Sequence, residues 1–229
     1  MVAGEGRRGA SQRRDLAMLG NRDTGLRAVL FDFGGVLSES PFTAFRRYEA
    51  ENGLPEGFVR SLNATDHHAN AWARLERGEV SVDEFGRLFE EEARAAGHEV
   101  DAAAVLGLLG GAPRPAMIDA VRRTREHYLV ALATNNFLPA RSSAGATAGV
   151  LDLFDHVFES SRLGVRKPEP AFFEHCCTEL GIVPVEAVFI DDLGINLRPA
   201  RELGMTTIKF VTEEQALDDL ETALRIPLR

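Results

Sequence analysis

Short runs of apolar or nearly apolar residues punctuate the chain from residue 28 onward: Ala28-Val29-Leu30-Phe31, Leu129 to Ala133, His156-Val157-Phe158, Ala187 to Ile190 and Thr206 to Phe210. Runs of that length without polar alternation mark strands buried on both faces, as in a parallel sheet. Between the later runs lie segments with helical boundaries. Pro168 and Pro170 open a stretch from Glu169 to Leu180 that Gly181 closes, and Asn196 to Leu203 is closed by Gly204. Alternating strand and helix predicts an α/β fold built on a doubly wound parallel sheet. The first two strands are separated by Ser38 to Pro113, too long for a simple crossover. Within that insertion Ser81-Val82-Asp83-Glu84 reads as a capping box, and Phe85, Leu88, Phe89 and Ala93 follow at helical spacing. The expected organisation is a disordered N-terminal arm over 1–25, a core formed by 26–37 and 114–229, and an inserted α-helical cap over 38–113.

Composition narrows the functional classes. With 45% hydrophobic and 27% charged residues the chain is globular, and no apolar run approaches the 18 or so residues of a membrane-spanning helix. The formal net charge is −9, and the arm carries five Arg against three acids, so the body is more acidic still. An acidic body is a poor nucleic-acid binder, and neither nucleic acid nor membrane is an expected partner. Gly4-Glu5-Gly6-Arg7-Arg8-Gly9 matches a dinucleotide-binding glycine pattern, but no strand precedes it. The only cysteines, Cys176 and Cys177, are sequence neighbours whose side chains diverge on a helix, which points to a reducing cytoplasm. Nothing in the sequence fixes an oligomeric state.

In open parallel sheets ligands bind beyond the carboxyl ends of the strands, so the residues after each apolar run carry the chemistry. They are Asp32-Phe33-Gly34-Gly35-Val36, Thr134-Asn135-Asn136, Gly164-Val165-Arg166-Lys167-Pro168 and Asp191-Asp192. Three carboxylates on one rim repel one another and an anionic substrate, so a hard divalent cation is expected, and oxygen donors suit Mg2+. Asp32 is the natural nucleophile, able to form an aspartyl phosphate that water then hydrolyses. The Thr134 hydroxyl and the Asn135 backbone N–H can hold phosphate oxygens, and Lys167 supplies fixed positive charge. Only Lys167 and Lys209 are lysines, every other Lys/Arg position being Arg, so a lysine at the rim is not background. His67 and His68 are read as surface or satisfied histidines, with substrate contact or proton delivery as the alternative. Trp72 is read as cap core, and Glu90-Glu91-Glu92 as a solvated helix face.

These strand ends, in order, resemble the four motifs of the haloacid dehalogenase superfamily over residues 26–229. They are Phe31-Asp32-Phe33-Gly34-Gly35-Val36-Leu37, Leu132-Ala133-Thr134-Asn135, Arg166-Lys167-Pro168-Glu169-Pro170 and Val188-Phe189-Ile190-Asp191-Asp192. The stretch from Lys167 to Phe210 is similar to the N-terminal phosphatase domain of soluble epoxide hydrolases and to the phosphatase-like domain of acyl-CoA dehydrogenase fusions. The resemblance implies a Rossmann-like core and a magnesium-dependent phosphatase of small phosphorylated metabolites. It makes Asp32, the backbone carbonyl of Gly34 and Asp192 the metal ligands, with Asp191 beside them. One position departs from the pattern. Phosphatases of this superfamily usually carry an acid two residues after the nucleophile to protonate the leaving oxygen, and here that residue is Gly34. The rival expectations are a halo-acid dehalogenase, which shares the fold but lacks the paired acids of Asp191-Asp192, and a weakly active binding or regulatory domain.

Overall fold

The computed structural model describes residues 24–136 and 148–229; the expected disordered arm, apart from Thr24 and Gly25, and the glycine pattern within it lie outside the described residues. Five strands, β1 (Ala28–Phe31), β2 (Leu129–Thr134), β3 (His156–Glu159), β4 (Ala187–Asp191) and β5 (Thr206–Lys209), form one sheet. Its order is β3-β2-β1-β4-β5 and every pairing is parallel. The strands lie where the apolar runs predict them, and the fold is the Rossmann-like α/β class.

Alternation along each strand feeds two different cores, which is why the strands read as continuous apolar runs. Val29, Phe31, Val130, Leu132, Val188 and Ile190 face a layer that includes Met117, Val121, Leu220 and Leu224. Ala28, Leu30, Ala131, Ala133, Ala187 and Phe189 face the other, with Phe172, Phe173, Cys176 and Leu197. All twelve strand residues are at most 1% exposed, so a polar substitution on either face would be buried without a partner.

The helices follow their predicted signals with one informative difference. The helix Pro170–Leu180 opens on a proline and ends at Gly181 in the left-handed region, φ 64°. The helix expected to begin at Asn196 begins instead at Gly194. The Asp191 side chain accepts the Leu193 N–H at 2.7 Å and turns the chain into the helix two residues earlier.

Between β1 and the helix Pro115–Thr124 that precedes β2 lie five helices: α1 (Phe42–Glu51), α2 (Phe58–Ala64), α3 (Ala71–Glu76), α4 (Val82–Ala95) and α5 (Ala102–Gly107). They share their own apolar cluster, drawn from Phe45 to Val105. At the start of α4 the Ser81 hydroxyl accepts the Glu84 N–H at 3.1 Å, the Ser81 arm of the predicted box. Trp72 is core there, as expected, with its ring edge-on to Phe85 and Phe89 at 5.2 and 5.7 Å. The two chain segments joining these helices to the sheet run side by side, tied by Glu39 N–H to Ala112 O and Arg114 N–H to Leu37 O, both 2.8 Å.

Candidate active site

The strand order reverses at β1, so the carboxyl ends of β1 and β4 flank the switch point of the sheet. Asp32 follows β1, Asp191 ends β4, and Asp192 comes next. Oxygens of all three carboxylates lie within 4.8 Å of one another. Lys167, 1% exposed, reaches between them, and its Nζ donates to Asp32 Oδ1 at 2.7 Å and to Asp191 Oδ2 at 2.8 Å. Asp32 and Lys167, the nucleophile and the cation that the sequence predicts, are thus joined across 135 positions of chain.

Asp191 is fully occupied. Its two oxygens accept from Lys167, from the Leu193 N–H and from the Asn196 amide at 3.0 and 3.2 Å. It orients the lysine and has no oxygen to spare. Asp192 has a different setting, in which the left-handed Gly35, φ 88°, lies against its carboxylate, and a Cβ on Gly35 would fall 2.2 Å from Asp192 Oδ2. Only glycine both takes that backbone conformation and leaves room for the carboxylate. Gly34 beside it is open, and a Cβ there meets nothing within 4 Å.

Three carboxylates against one ammonium leave the cluster short of positive charge, and the titration behaviour reflects this. Burial pushes Asp32 up to about 7; Lys167 pulls it down, and Asp191 and Asp192 push it further up. Burial and the neighbouring Asp191 raise Asp192 to about 6. Lys167 is disfavoured by burial, but Asp191 and Asp32 outweigh that and hold it above the ordinary lysine range. Ionised together, the three carboxylates outnumber the one ammonium, and this hard-oxygen donor set fits magnesium.

Thr134 ends β2, nearly buried, at the same rim. Asn135 does something the sequence did not reveal. Its side chain accepts the Lys167 N–H and donates to the Lys167 carbonyl, both at 2.9 Å, clamping the lysine's own backbone. Its amide also donates at 3.0 Å to Glu76 at the end of α3, 59 positions away. Glu76 in turn receives Arg166 Nε at 2.5 Å and Trp72 Nε1 at 3.0 Å. The sequence assigns no role to Arg166 or Gly35, which lie within the strand-end motifs, or to Asn196, which opens a predicted helix. Glu76 carried no sequence signal at all. The rings of His67 and His68 lie against each other, centroids 4.0 Å apart and tilted by 40°, and His67 meets this region through its carbonyl, which accepts Arg166 at 2.8 Å.

A model of haloacid dehalogenase-like hydrolases matches residues 26–204. The chain belongs to that family of hydrolases. It is 37% identical over 213 residues to acyl-CoA dehydrogenase family member 10 of Mus musculus, covering 88% of this chain and 19% of that protein. It is 29% identical over 219 residues to bifunctional epoxide hydrolase 2 of Sus scrofa, covering 89% and 40%. Both fusion families that the motifs resemble therefore contain relatives of this chain, which spans well under half of each relative's length. Against the D-ribitol-5-phosphate phosphatase of Bacteroides thetaiotaomicron the identity is 28% over 203 residues, with 80% and 91% covered. Among solved structures, a haloacid dehalogenase family enzyme from Bacteroides thetaiotaomicron in complex with magnesium superposes with a TM-score of 0.58. It is 25% identical and is covered over 93% of its length by 81% of this chain.

Proposed function

We propose that this hydrolase is a magnesium-dependent phosphatase of small phosphorylated metabolites. The observation that carries the reading is the charge arrangement: two buried carboxylates bonded to one buried lysine and a third, half-buried carboxylate beside them, a site that suits a divalent cation and a phosphate together. Asp32, the Gly34 carbonyl and Asp192 would hold the cation, since Asp191 is committed to Lys167 and Asn196. Bound there, magnesium supplies positive charge to the phosphoryl oxygens and screens them from the carboxylates.

Asp32 attacks phosphorus with one carboxylate oxygen. The O–P bond forms as the bond from phosphorus to the ester oxygen breaks, giving an aspartyl phosphate and a departing oxyanion that takes its proton from water. Water then attacks the phosphorus, inorganic phosphate leaves and Asp32 returns as a carboxylate. Lys167 keeps its positive charge throughout and meets the charge that builds on the equatorial oxygens. The Thr134 hydroxyl and the Asn135 N–H orient the phosphate. Residues 38–113 serve as a cap that recognises the leaving group and excludes water from a core of 26–37 and 114–229. The two cysteines are buried and form no disulfide, which supports a reducing cytoplasm.

Dehalogenation is the weaker reading, because carbon–halogen displacement has no use for a second acid pair beside the nucleophile. A binding-only role is weaker too, because the nucleophile, lysine and paired acids are all present. The test is a panel of phosphorylated metabolites screened for phosphate release with magnesium and with a chelator. Release from at least one ester, lost on chelation, is expected. Release from none, with chloride release from a halo-acid, would overturn the proposal.

A further inference from the structure

Glu76 is a buried carboxylate at the end of cap helix α3, yet two of its three partners, Arg166 and Asn135, belong to the strand-end motifs of the core. Oε2 receives Arg166 Nε at 2.5 Å and Asn135 Nδ2 at 3.0 Å, while Oε1 receives Trp72 Nε1 at 3.0 Å. Three N–H donors on two oxygens make Glu76 an acceptor that holds its partners. Around it the cap backbone sits directly on the core. A Cβ on Gly78 would fall 2.5 Å from the Ser161 carbonyl, Arg77 pairs with Glu169 at 3.3 Å, and Arg166 reaches the His67 carbonyl at 2.8 Å. A leucine would seal such a contact with less desolvation cost, so stability alone does not account for a carboxylate here.

We infer that Glu76 is a positioning residue for the catalytic Lys167, coupling the seating of the cap to the placement of the lysine. The path is short and continuous. Glu76 holds the Asn135 amide, and Asn135 clamps the N–H and the carbonyl of Lys167 at 2.9 Å each. Glu76 also holds the guanidinium of the residue just before it. When the cap lifts, Glu76 leaves with it, and both restraints on the Lys167 backbone slacken together. The ammonium is then free to drift from Asp32 and Asp191, so the lysine is set for transition-state contact only under a seated cap. This deepens the proposed phosphatase reading and rests on its assignment of Lys167.

The test compares full-length wild type, Glu76→Gln and the double variant Glu76→Leu/Arg166→Met. Glu76→Gln keeps the shape but turns an NH2 toward one of the donors. It is expected to lower kcat on an aryl phosphate about 10–100-fold with KM changed less than about threefold. Hydrogen exchange should quicken in core residues 161–169 as well as in cap residues 67–79. The apolar double variant removes both buried charges and is expected to recover melting temperature without recovering kcat, because Asn135 still lacks its acceptor. Recovery of kcat together with stability, or faster exchange confined to the cap, would overturn the inference. If wild type hydrolyses no phosphate ester, the phosphatase reading falls, and the exchange comparison still decides whether Glu76 is coupled to Lys167.

Discussion

Two buried charge clusters sit within one hydrogen-bond path of each other and follow opposite rules. At Glu76 burial pushes the carboxyl up as well, but one guanidinium and two neutral donors face the one carboxylate, so charge and hydrogen bonds both balance. At the rim, Asp32, Asp191 and Asp192 face one lysine, and Asp32 and Asp192 are pushed up toward neutrality by burial. Burying unpaired charge is expensive, and a fold selected for stability alone would not gather three carboxylates at its switch point. The imbalance is the mark of a site completed by something outside the chain, while the balanced cluster is complete in itself. Removing a group should therefore have opposite consequences in the two places.

The sharpest contrast is between Asp32→Asn and Glu76→Ala. Asp32→Asn should abolish turnover, by more than about 10⁴-fold, because the nucleophile is gone. It should leave the fold intact or firmer, since Lys167 keeps Asp191 as its partner and one crowded carboxylate is relieved. Glu76→Ala strands Arg166 and should cost about 3–5 kcal/mol in urea unfolding. A folded Asp32→Asn that retains activity would break the assignment of the nucleophile. An Asp32→Asn less stable than Glu76→Ala would break the contrast itself.

The two clusters also differed in how legible they were. Asp32, Asp191 and Asp192 could be named because each directly follows an apolar strand, and a parallel sheet brings all its carboxyl ends to one edge. Periodicity and strand order carry that information locally. Lys167 sits on a loop, but its rarity as a lysine and its motif placed it. Glu76 is different. It ends a six-residue helix, and its partners lie 59 and 90 positions away, so only packing brings them together. The sequence points to the backbone N–H of Asn135, while its side chain is what fastens Lys167, because a side chain's bonds to distant backbone leave no local pattern. The early start of the Gly194–Glu202 helix has the same origin, a capping contact that depends on where Asp191 points.

Gly34 offers a gain rather than a loss. General acid catalysis typically contributes about 10²–10⁴-fold, and a glycine supplies none of it. The position is open, with nothing within 4 Å of a Cβ, so an added carboxyl does not have to displace a neighbour. Gly34→Asp is expected to raise kcat/KM on an alkyl phosphate by about 10²-fold and to change an aryl phosphate far less, since the aryl oxide departs without a proton. If wild type shows no leaving-group dependence and the variant gains on neither ester, another group already delivers the proton. The contrast with Glu76, a carboxylate too fully bonded to act as an acid, would then need a different donor.

The smallest effect follows from the charge imbalance without any turnover. Asp32 and Asp192 have folded values of about 7 and about 6, above the ordinary aspartate value of about 4. The folded state therefore binds protons more tightly than the unfolded state. The stability these groups contribute is full below pH about 4, shrinks as pH rises, and is gone once pH passes about 7. Magnesium competes with those protons, so its stabilising effect should run the other way, small at pH 5.5 and larger at pH 8. At a hundredfold excess over Kd the gain is about 2.7 kcal/mol, about 5–10 °C for a chain of this length. Melting curves with magnesium and with chelator, taken across that range for wild type and Asp32→Asn, read the effect directly. The variant should show a flatter pH slope without metal and a weaker magnesium gain at pH 8. A magnesium gain equal at both pH values and equal in the two proteins would place the cation away from Asp32, and the rim cluster's missing charge would have to come from the substrate side or from protons alone.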